Sequence, residues 1–318
     1  MTEALTADKT KIVLTGAAGL VGQNLTVLMK DRADIDLVCI DKHPENCLIF
    51  RKVHPGVTLI EADLAKRGDW AEAFSGANVV ILNHAQIGAL TEDPFIANNV
   101  TATRHVLEAA RAGGVGRIVH ISSSVVNSVA NDFYTRSKAE QEQMVLDAGL
   151  PVMVLRPTLM FGLFDRKHLG WLARFMQRQP IFPVPGSGQY VRQPLYARDF
   201  CRIIIACVDD FRPGEIHDIS GQEKITYIDL IREVRDACGA KARIVRIPYT
   251  VFWWLLRVYA VIDKDPPFTT RQLEALVIPE EFPVTDWPGL FGVPATRVTD
   301  ALRETYTDPA YSRVVLEF

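Results

Sequence analysis

The segment Lys11-Ile-Val-Leu-Thr-Gly-Ala-Ala-Gly-Leu-Val-Gly22 constrains the fold more than any other stretch. A short β-branched apolar run, Ile12 to Leu14, ends in a glycine-spaced turn. A helical pattern follows at once, with Leu20, Leu25, Leu28 and Met29 at three- and four-residue steps. This reads as strand, tight loop and helix N-terminus. Gly16 turns the chain off the strand, Gly19 keeps the backbone open to a phosphate, and Gly22 lets the helix pack closely. The free N–H groups of the first helical turn, around Leu20 and Val21, then face a diphosphate.

The next apolar run, Ile35 to Ile40, ends in Asp41. A carboxylate there accepts hydrogen bonds from an adenosine ribose and repels a 2′-phosphate, so NAD is favoured over NADP. Lys42 and His43 leave some tolerance of NADP. Further along, Asp63 and Leu64 fall at the mouth of the same cleft, although Asp63 reads equally well as a cap for a helix at Trp70 to Phe74.

Strand-like runs continue at Val57–Glu61, Asn78–Asn83, Gly116–Ser122 and Leu150–Arg156, with helices at Phe95–Ala112 and Phe133–Ala148 between them. Such alternation predicts an α/β fold: a doubly wound parallel sheet of about seven strands, with ligands at the strand carboxyl ends. His84 follows the fourth strand; Pro157 and Thr158 follow the sixth. After Thr158 the βα rhythm is lost among Pro180, Pro183, Pro185, Gly186 and Gly188. A helix at Leu195–Val208 and a seventh strand at Ile216–Ile219 return to the sheet, and Thr226 caps another helix running to Ala237. The expected division is a nucleotide-binding domain over 1–158 with 194–219, and a smaller mixed lobe over 159–193 and 220–318.

A net charge of −3 with interspersed signs argues against nucleic-acid binding. Cys39, Cys47, Cys201, Cys207 and Cys238 show no metal spacing; three of them, Cys39, Cys201 and Cys207, lie in apolar runs and read as buried thiols. With a polar Met1–Lys9 and no long apolar span, a cytoplasmic location is expected. Pro248 to Ile262 is the most apolar stretch. A buried or bridging helix is the favoured reading; the alternative is an interfacial helix, because Trp253, Trp254, Arg257 and Tyr259 suit a membrane surface. It is too short to span a bilayer.

The chemistry centres on Tyr134-Thr-Arg-Ser-Lys138. Residues four apart share a helix face, which sets the ammonium beside the phenol. A cation there is expected to pull the phenol down from about 10 and make it a general acid–base group. Ser122-Ser123-Ser124 closes the fifth strand at the same rim, where a hydroxyl can hold the substrate oxygen.

The order of glycine loop, serine strand and Tyr-x-x-x-Lys helix resembles the short-chain dehydrogenase/reductase superfamily. The Thr-Gly-x-x-Gly-x-x-Gly loop, Thr15 to Gly22, resembles its extended branch of nucleotide-sugar epimerases, dehydratases and reductases. Asn99-Val100-Thr-Ala-Thr103, Leu155 to Gly162 and Gly188 through Asp199 are similar to further family segments. The resemblance implies an NAD enzyme with Tyr134 as acid–base, Lys138 as its tuner and ribose contact, and Ser124 as oxygen donor, with Ser123 second. It also implies Asn99 as support, Arg192 as a diphosphate clamp, Thr158 near the substrate, and a homodimer through the helices at Phe95–Ala112 and Phe133–Ala148.

Val125-Val126 stand where sugar dehydratases carry Asp-Glu, which argues against 4,6-dehydration. The interval from Ser124 to Tyr134 is short, and Val126-Asn127-Ser128 replaces the family's Val-Tyr-Gly. A nucleotide-sugar epimerase or 4-keto reductase is therefore expected. The alternatives are an oxidoreductase of a lipid-like or free sugar substrate, and a non-catalytic nucleotide-binding scaffold.

Overall fold

The computed structural model describes residues 9–262 and 270–317. The reading of Met1–Lys9 rests almost wholly outside those residues, as does the Tyr259 side chain.

Seven parallel strands form the central sheet: β1 (Thr10–Thr15), β2 (Ile35–Asp41), β3 (Thr58–Glu61), β4 (Val79–Leu82), β5 (Arg117–Ile121), β6 (Val152–Pro157) and β7 (Ile216–Ile219). Their order is β7-β6-β5-β4-β1-β2-β3, so the chain reverses direction between β1 and β4. Ile12 pairs with Leu37 on one side and Val79 on the other. Ligands in such sheets sit at this reversal, off the strand carboxyl ends.

Buried parallel strands are apolar on both faces, and β1 shows why its sequence reads as an unbroken apolar run. Ile12 and Leu14 face a core shared with Leu25 and Met29 of α1 (Leu20–Met29). Val13 faces the opposite core, with Val106 and Ala110 of α3 (Ala102–Ala112) and Val145 of α4 (Phe133–Leu146). All three strand residues are fully buried, and each such side chain stabilises the fold by about 2 kcal/mol.

The helix expected over Phe95–Ala112 is not continuous. A single turn at Asp93–Phe95 runs into a π-helical segment, Ile96–Thr101, before α3 begins. The segment at Trp70–Phe74 is a 3-10 turn, Asp69–Phe74, and its cap is Gly68, not Asp63. The predicted helix at Leu195–Val208 begins two residues later: Leu195–Tyr196 pairs with Met160–Phe161, and α6 runs over Ala197–Asp209. The second lobe carries two more strand pairs, Val191–Arg192 with Ile225–Thr226 and Ile181–Pro185 with Arg243–Ile247. Around them pack α7 (Tyr227–Ala237) and α10 (Val298–Thr307), through Leu230, Ile231, Val234, Ala301 and Leu302. Thr226 caps α7 as expected, its hydroxyl accepting from Asp229 N–H.

The cysteine reading holds among the described residues: all five thiols are free, and Cys39, Cys47, Cys201 and Cys207 are buried. No cluster of metal-ligating side chains and no helix long and apolar enough to cross a membrane is found among the described residues.

Candidate active site

The glycine loop has the geometry its spacing predicts. Gly16 has φ +66, and a Cβ there would lie 2.8 Å from the His84 Cα. A Cβ on Gly22 would lie 2.5 Å from the carbonyl oxygens of Gly16 and Ala17, so the close approach is between α1 and its own loop. Gly19 has open space, with only Gly16 O within 4 Å of a Cβ, at 3.5 Å. Gly19 is also the N-cap of α1 and supplies no side-chain cap, and no acidic residue occupies the first turn. Those first-turn N–H groups at Leu20, Val21 and Gly22 form an anion-binding end.

Asp41 stands beside this loop at the end of β2. One carboxylate oxygen accepts from Ala18 N–H (2.9 Å), the other from Lys42 and His43 N–H (2.7 and 3.0 Å). Lys42 is drawn away to Asn98 Oδ1 (2.5 Å) and Asp63 (3.6 Å), and His43 Nδ1 caps the next helix by accepting from Asn46 N–H. Asp63 also closes a local turn by accepting from Ala65 N–H, with Leu64 buried beside it. At the far side of the cleft, Pro157 ends β6 and Thr158 N–H continues the sheet to Ile219 O. Among the described residues the Thr158 hydroxyl is buried without a partner, an orphaned polar atom at the position expected near the substrate. Open Gly19, uncapped α1, the Asp41 carboxylate and this hydroxyl together fit a dinucleotide.

Asp132 caps α4 by accepting from Thr135 N–H (2.9 Å), which places Tyr134 in the first turn of the helix. Its phenol is half-buried, with the Ser123 hydroxyl near it. Ser123, second in expectation to Ser124, is the serine whose hydroxyl neighbours the phenol. Ser123 is the N-cap of the turn Ser124–Asn127, its Oγ accepting from Val125 N–H, and Ser124 lies inside that turn. The phenol's pKa is raised above 10: burial dominates, and the nearby Ser123 hydroxyl offsets only part of it. The expected lowering by Lys138 is therefore not seen in the protein alone.

Lys138 is 1% exposed and meets neutral oxygens: Nζ donates to Ile121 O (3.0 Å) and Gln141 Oε1 (2.6 Å). Burial pushes its pKa down to about 7. An ammonium has three N–H groups, so one is left for a ligand hydroxyl. Gln141 extends the chain inward, its Nε2 donating to Thr103 Oγ1 (2.9 Å). The Thr103 hydroxyl meets His84 Nε2 (3.1 Å), and His84 Nδ1 meets Thr15 Oγ1 (2.9 Å) on β1. The Thr15 hydroxyl donates its proton to Ile81 O, so His84 Nδ1 carries the imidazole proton and Nε2 accepts from the Thr103 hydroxyl. A neutral imidazole suits this, and burial first, then Lys138, push its pKa down to about 3. His84 is thus a strut between the nucleotide loop and Lys138.

Asn99, within the π-helical turn, accepts from Gln86 N–H (2.6 Å) and donates to Ser137 Oγ (2.9 Å), tying α4 to the loop after β4. A π-turn of this kind is frequent where a side chain must be re-aimed at a functional site. One turn beyond Lys138, Glu142 takes a two-pronged pair from Arg156 (3.0 and 2.5 Å), and Arg156 also meets Asn127 Oδ1 (3.3 Å). Asn127, at the position departing from the family's tyrosine, thereby braces the loop after β5.

Arg192 is the departure. It is 7% exposed and donates to the carbonyls of Val191, Ile278 and Leu276, with Glu280 at 3.8 Å. Its guanidinium lies over Tyr190 and Tyr227, 5.1 and 5.9 Å from their ring centroids. It fastens residues 276–280 to the second lobe instead of facing the cleft with free donors.

Fold and site together define a nucleotide-binding oxidoreductase scaffold with a tyrosine–lysine helix at its switch point. The model of the NAD dependent epimerase/dehydratase family matches residues 12–220, and the chain belongs to that family of extended short-chain dehydrogenase/reductase enzymes. The chain is 28% identical to a 2-alkyl-3-oxoalkanoate reductase of Stenotrophomonas maltophilia (strain K279a), over 92% of this chain and 97% of the relative. It is 25% identical to a dTDP-glucose 4,6-dehydratase of Actinoplanes sp., over 73% and 83%. In fold it is similar to the UDP-glucuronic acid 4-epimerase of Bacillus cereus solved with UDP-glucuronic acid and NAD (TM-score 0.72, 19% identity, 93% and 98% covered).

Proposed function

We propose that this chain transfers hydride between NAD and a carbinol or ketone carbon of a nucleotide-linked sugar, as a 4-epimerase or 4-keto reductase. The observation that carries the reaction class is the half-buried phenol of Tyr134 beside the Ser123 hydroxyl at the sheet's carboxyl edge, with a buried ammonium one helical turn on. Bound NAD supplies the hydride acceptor or donor. Gly16, Gly19, Leu20, Val21 and Gly22 hold its diphosphate, Asp41 its adenosine ribose, and Lys138 its second ribose. Ser123 and Tyr134 hold the substrate oxygen. Tyr134 takes the hydroxyl proton on oxidation and returns it on reduction, and the Ser123 hydroxyl steadies the negative charge on that oxygen. Asp63, Leu64, His84, Asn99, Pro157 and Thr158 line or brace the nicotinamide side. Val125 and Val126 offer no second acid–base pair, so water is not expelled. A homodimer through α3 and α4 belongs to the same proposal.

A second substrate class is favoured by particular observations. Arg192 has its donors engaged by backbone carbonyls, which removes the expected diphosphate clamp. The loops leading away from β4, β5 and β6 carry exposed Ile87, Leu90, Val129 and Leu159. The relative aligned over 92% of the chain is named for an aliphatic ketone substrate, whereas the sugar dehydratase aligns over 73%. NADH oxidation with UDP- or dTDP-4-keto sugars, set against 3-oxoalkanoates, separates the two. Turnover of the sugars together with competition by UDP supports the first class. Turnover of the oxoalkanoates alone supports the second, and turnover of neither overturns the oxidoreductase reading.

A further inference from the structure

The most apolar stretch of the sequence is not absorbed by the cofactor or substrate sites. It forms α8 (Tyr249–Ile262), which packs against α9 (Thr270–Val277). The favoured sequence reading, a buried helix, does not hold for its outer side. Val251, Trp254, Leu255 and Val258 are 48%, 64%, 55% and 58% exposed. Steps of three (251 to 254, 255 to 258) and four (251 to 255, 254 to 258) set all four on one face of the helix. Each apolar side chain left in water forgoes its burial free energy, and a contiguous row of four is more than scattered surface residues require.

The segment that carries this row has charges of one sign, the nearest exposed carboxylate on a neighbouring element being Glu274 of α9. Between Asp236 and Asp263 the chain carries Lys241, Arg243, Arg246 and Arg257 and no acidic residue, in a protein whose net charge is −3. Lys241, Arg243, Arg246 and Arg257 are exposed, and none of them makes an ion pair among the described residues. Arg243 and Arg246 stand on the strand Arg243–Ile247, which leads through Pro248 into the helix. Trp253 and Trp254 meet edge to face at 5.2 Å, and the Arg257 guanidinium lies 5.1 Å from the Trp253 ring centroid. Tryptophan beside arginine is the pairing that settles at the boundary between headgroups and acyl chains.

We infer that the outer face of α8 docks on an anionic bilayer surface, with Val251, Trp254, Leu255 and Val258 entering the acyl boundary and the four basic residues meeting lipid phosphates. A second copy of the chain fits less well. Two α8 faces paired across a two-fold axis would bring Arg257 and its basic neighbours together with no acidic residue on the segment to neutralise them. At fourteen residues the helix is too short to cross, so the contact is peripheral. The inference stands on this surface alone and does not depend on the substrate class.

The test is sedimentation of the full-length protein with vesicles of phosphatidylcholine alone, or of phosphatidylcholine with phosphatidylglycerol, across a salt series. Binding to the anionic vesicles, weakening as salt rises, with a blue shift of tryptophan emission, is the expected result. Each basic residue near such a surface adds about 1 kcal/mol, so replacing both Arg243 and Arg246 by glutamine weakens binding about thirtyfold. Trp254→Glu, a change at a solvent-facing site, abolishes the binding while circular dichroism and NAD binding stay unchanged. Three results overturn the inference: no binding to either vesicle, equal salt-independent binding to both, or a concentration-dependent dimer that Trp254→Glu dissolves.

Discussion

Replacing Lys138 by methionine is expected to stabilise the protein at neutral pH and to destabilise it in alkali. The ammonium is buried between Ile121 O and Gln141 Oε1 with no carboxylate in contact, and its pKa falls from 10.5 to about 7. At about 1.4 kcal/mol per pH unit, folding such a lysine costs roughly 4 kcal/mol at pH 7. The direction follows from proton counting. The unfolded chain binds the proton up to 10.5 and the folded chain only below about 7. The penalty is therefore full below 7 and fades as pH rises towards 10.5. By about pH 10 it is down to roughly 1 kcal/mol. Methionine fills similar space without charge, but it leaves the Ile121 and Gln141 oxygens unpaired, at a cost of about 1–3 kcal/mol. The variant should be more stable than the parent by about 1–3 kcal/mol at neutral pH and less stable by about 1 kcal/mol near pH 10. Urea unfolding of both proteins without nucleotide, followed by circular dichroism at several pH values, reads this directly. A difference that does not change with pH would refute the buried, unpaired ammonium.

Two further substitutions probe the groups around it. Ser123→Ala should lower kcat about 10²-fold or more by removing the hydroxyl beside the phenol, while Ser124→Ala stays within a few-fold of the parent, both read from initial rates of NADH oxidation. Gln141→Glu sets a carboxylate where the amide oxygen lies 2.6 Å from Lys138 Nζ, so Lys138 should titrate well above about 7 and any limb of the pH–rate profile due to it should move to higher pH; Gln141→Leu removes the acceptor and should weaken NAD binding in a titration calorimeter.

Local signals made much of this legible. Glycines at 16, 19 and 22 report on a loop whose close contacts are mostly within a few residues, and β-branched runs report on buried parallel strands. Tyr134 and Lys138 are one helical turn apart, so their common face follows from periodicity alone. Choosing among Ser122, Ser123 and Ser124 was beyond that reach, because a 3-10 turn at Ser124–Asn127, capped by Ser123, sets how the three side chains are placed. The strut from Thr15 through His84, Thr103 and Gln141 joins residues up to 126 positions apart in the chain, and no spacing rule connects them. Residues of these types, polar and followed by buried strands or helices, carry only the general hint that a polar group in an apolar run needs a partner. The surroundings of Arg192 were out of reach for a similar reason: the carbonyls that it meets come from 276 and 278, far along the chain. The outer row on α8 could not be told from a core face, since apolar periodicity reports a face without naming what covers it.

The central claim is that Tyr134, beside Ser123 and one helical turn from Lys138, moves the proton that accompanies hydride transfer. The most direct test follows deuterium from NADH labelled at C4 into a 4-keto sugar or 3-oxoalkanoate, for the parent and for Tyr134→Phe. The account predicts label in the product carbinol with the parent, and loss of transfer by about 10²-fold or more in the variant with NADH affinity unchanged. Transfer at the parent's rate by Tyr134→Phe would contradict it.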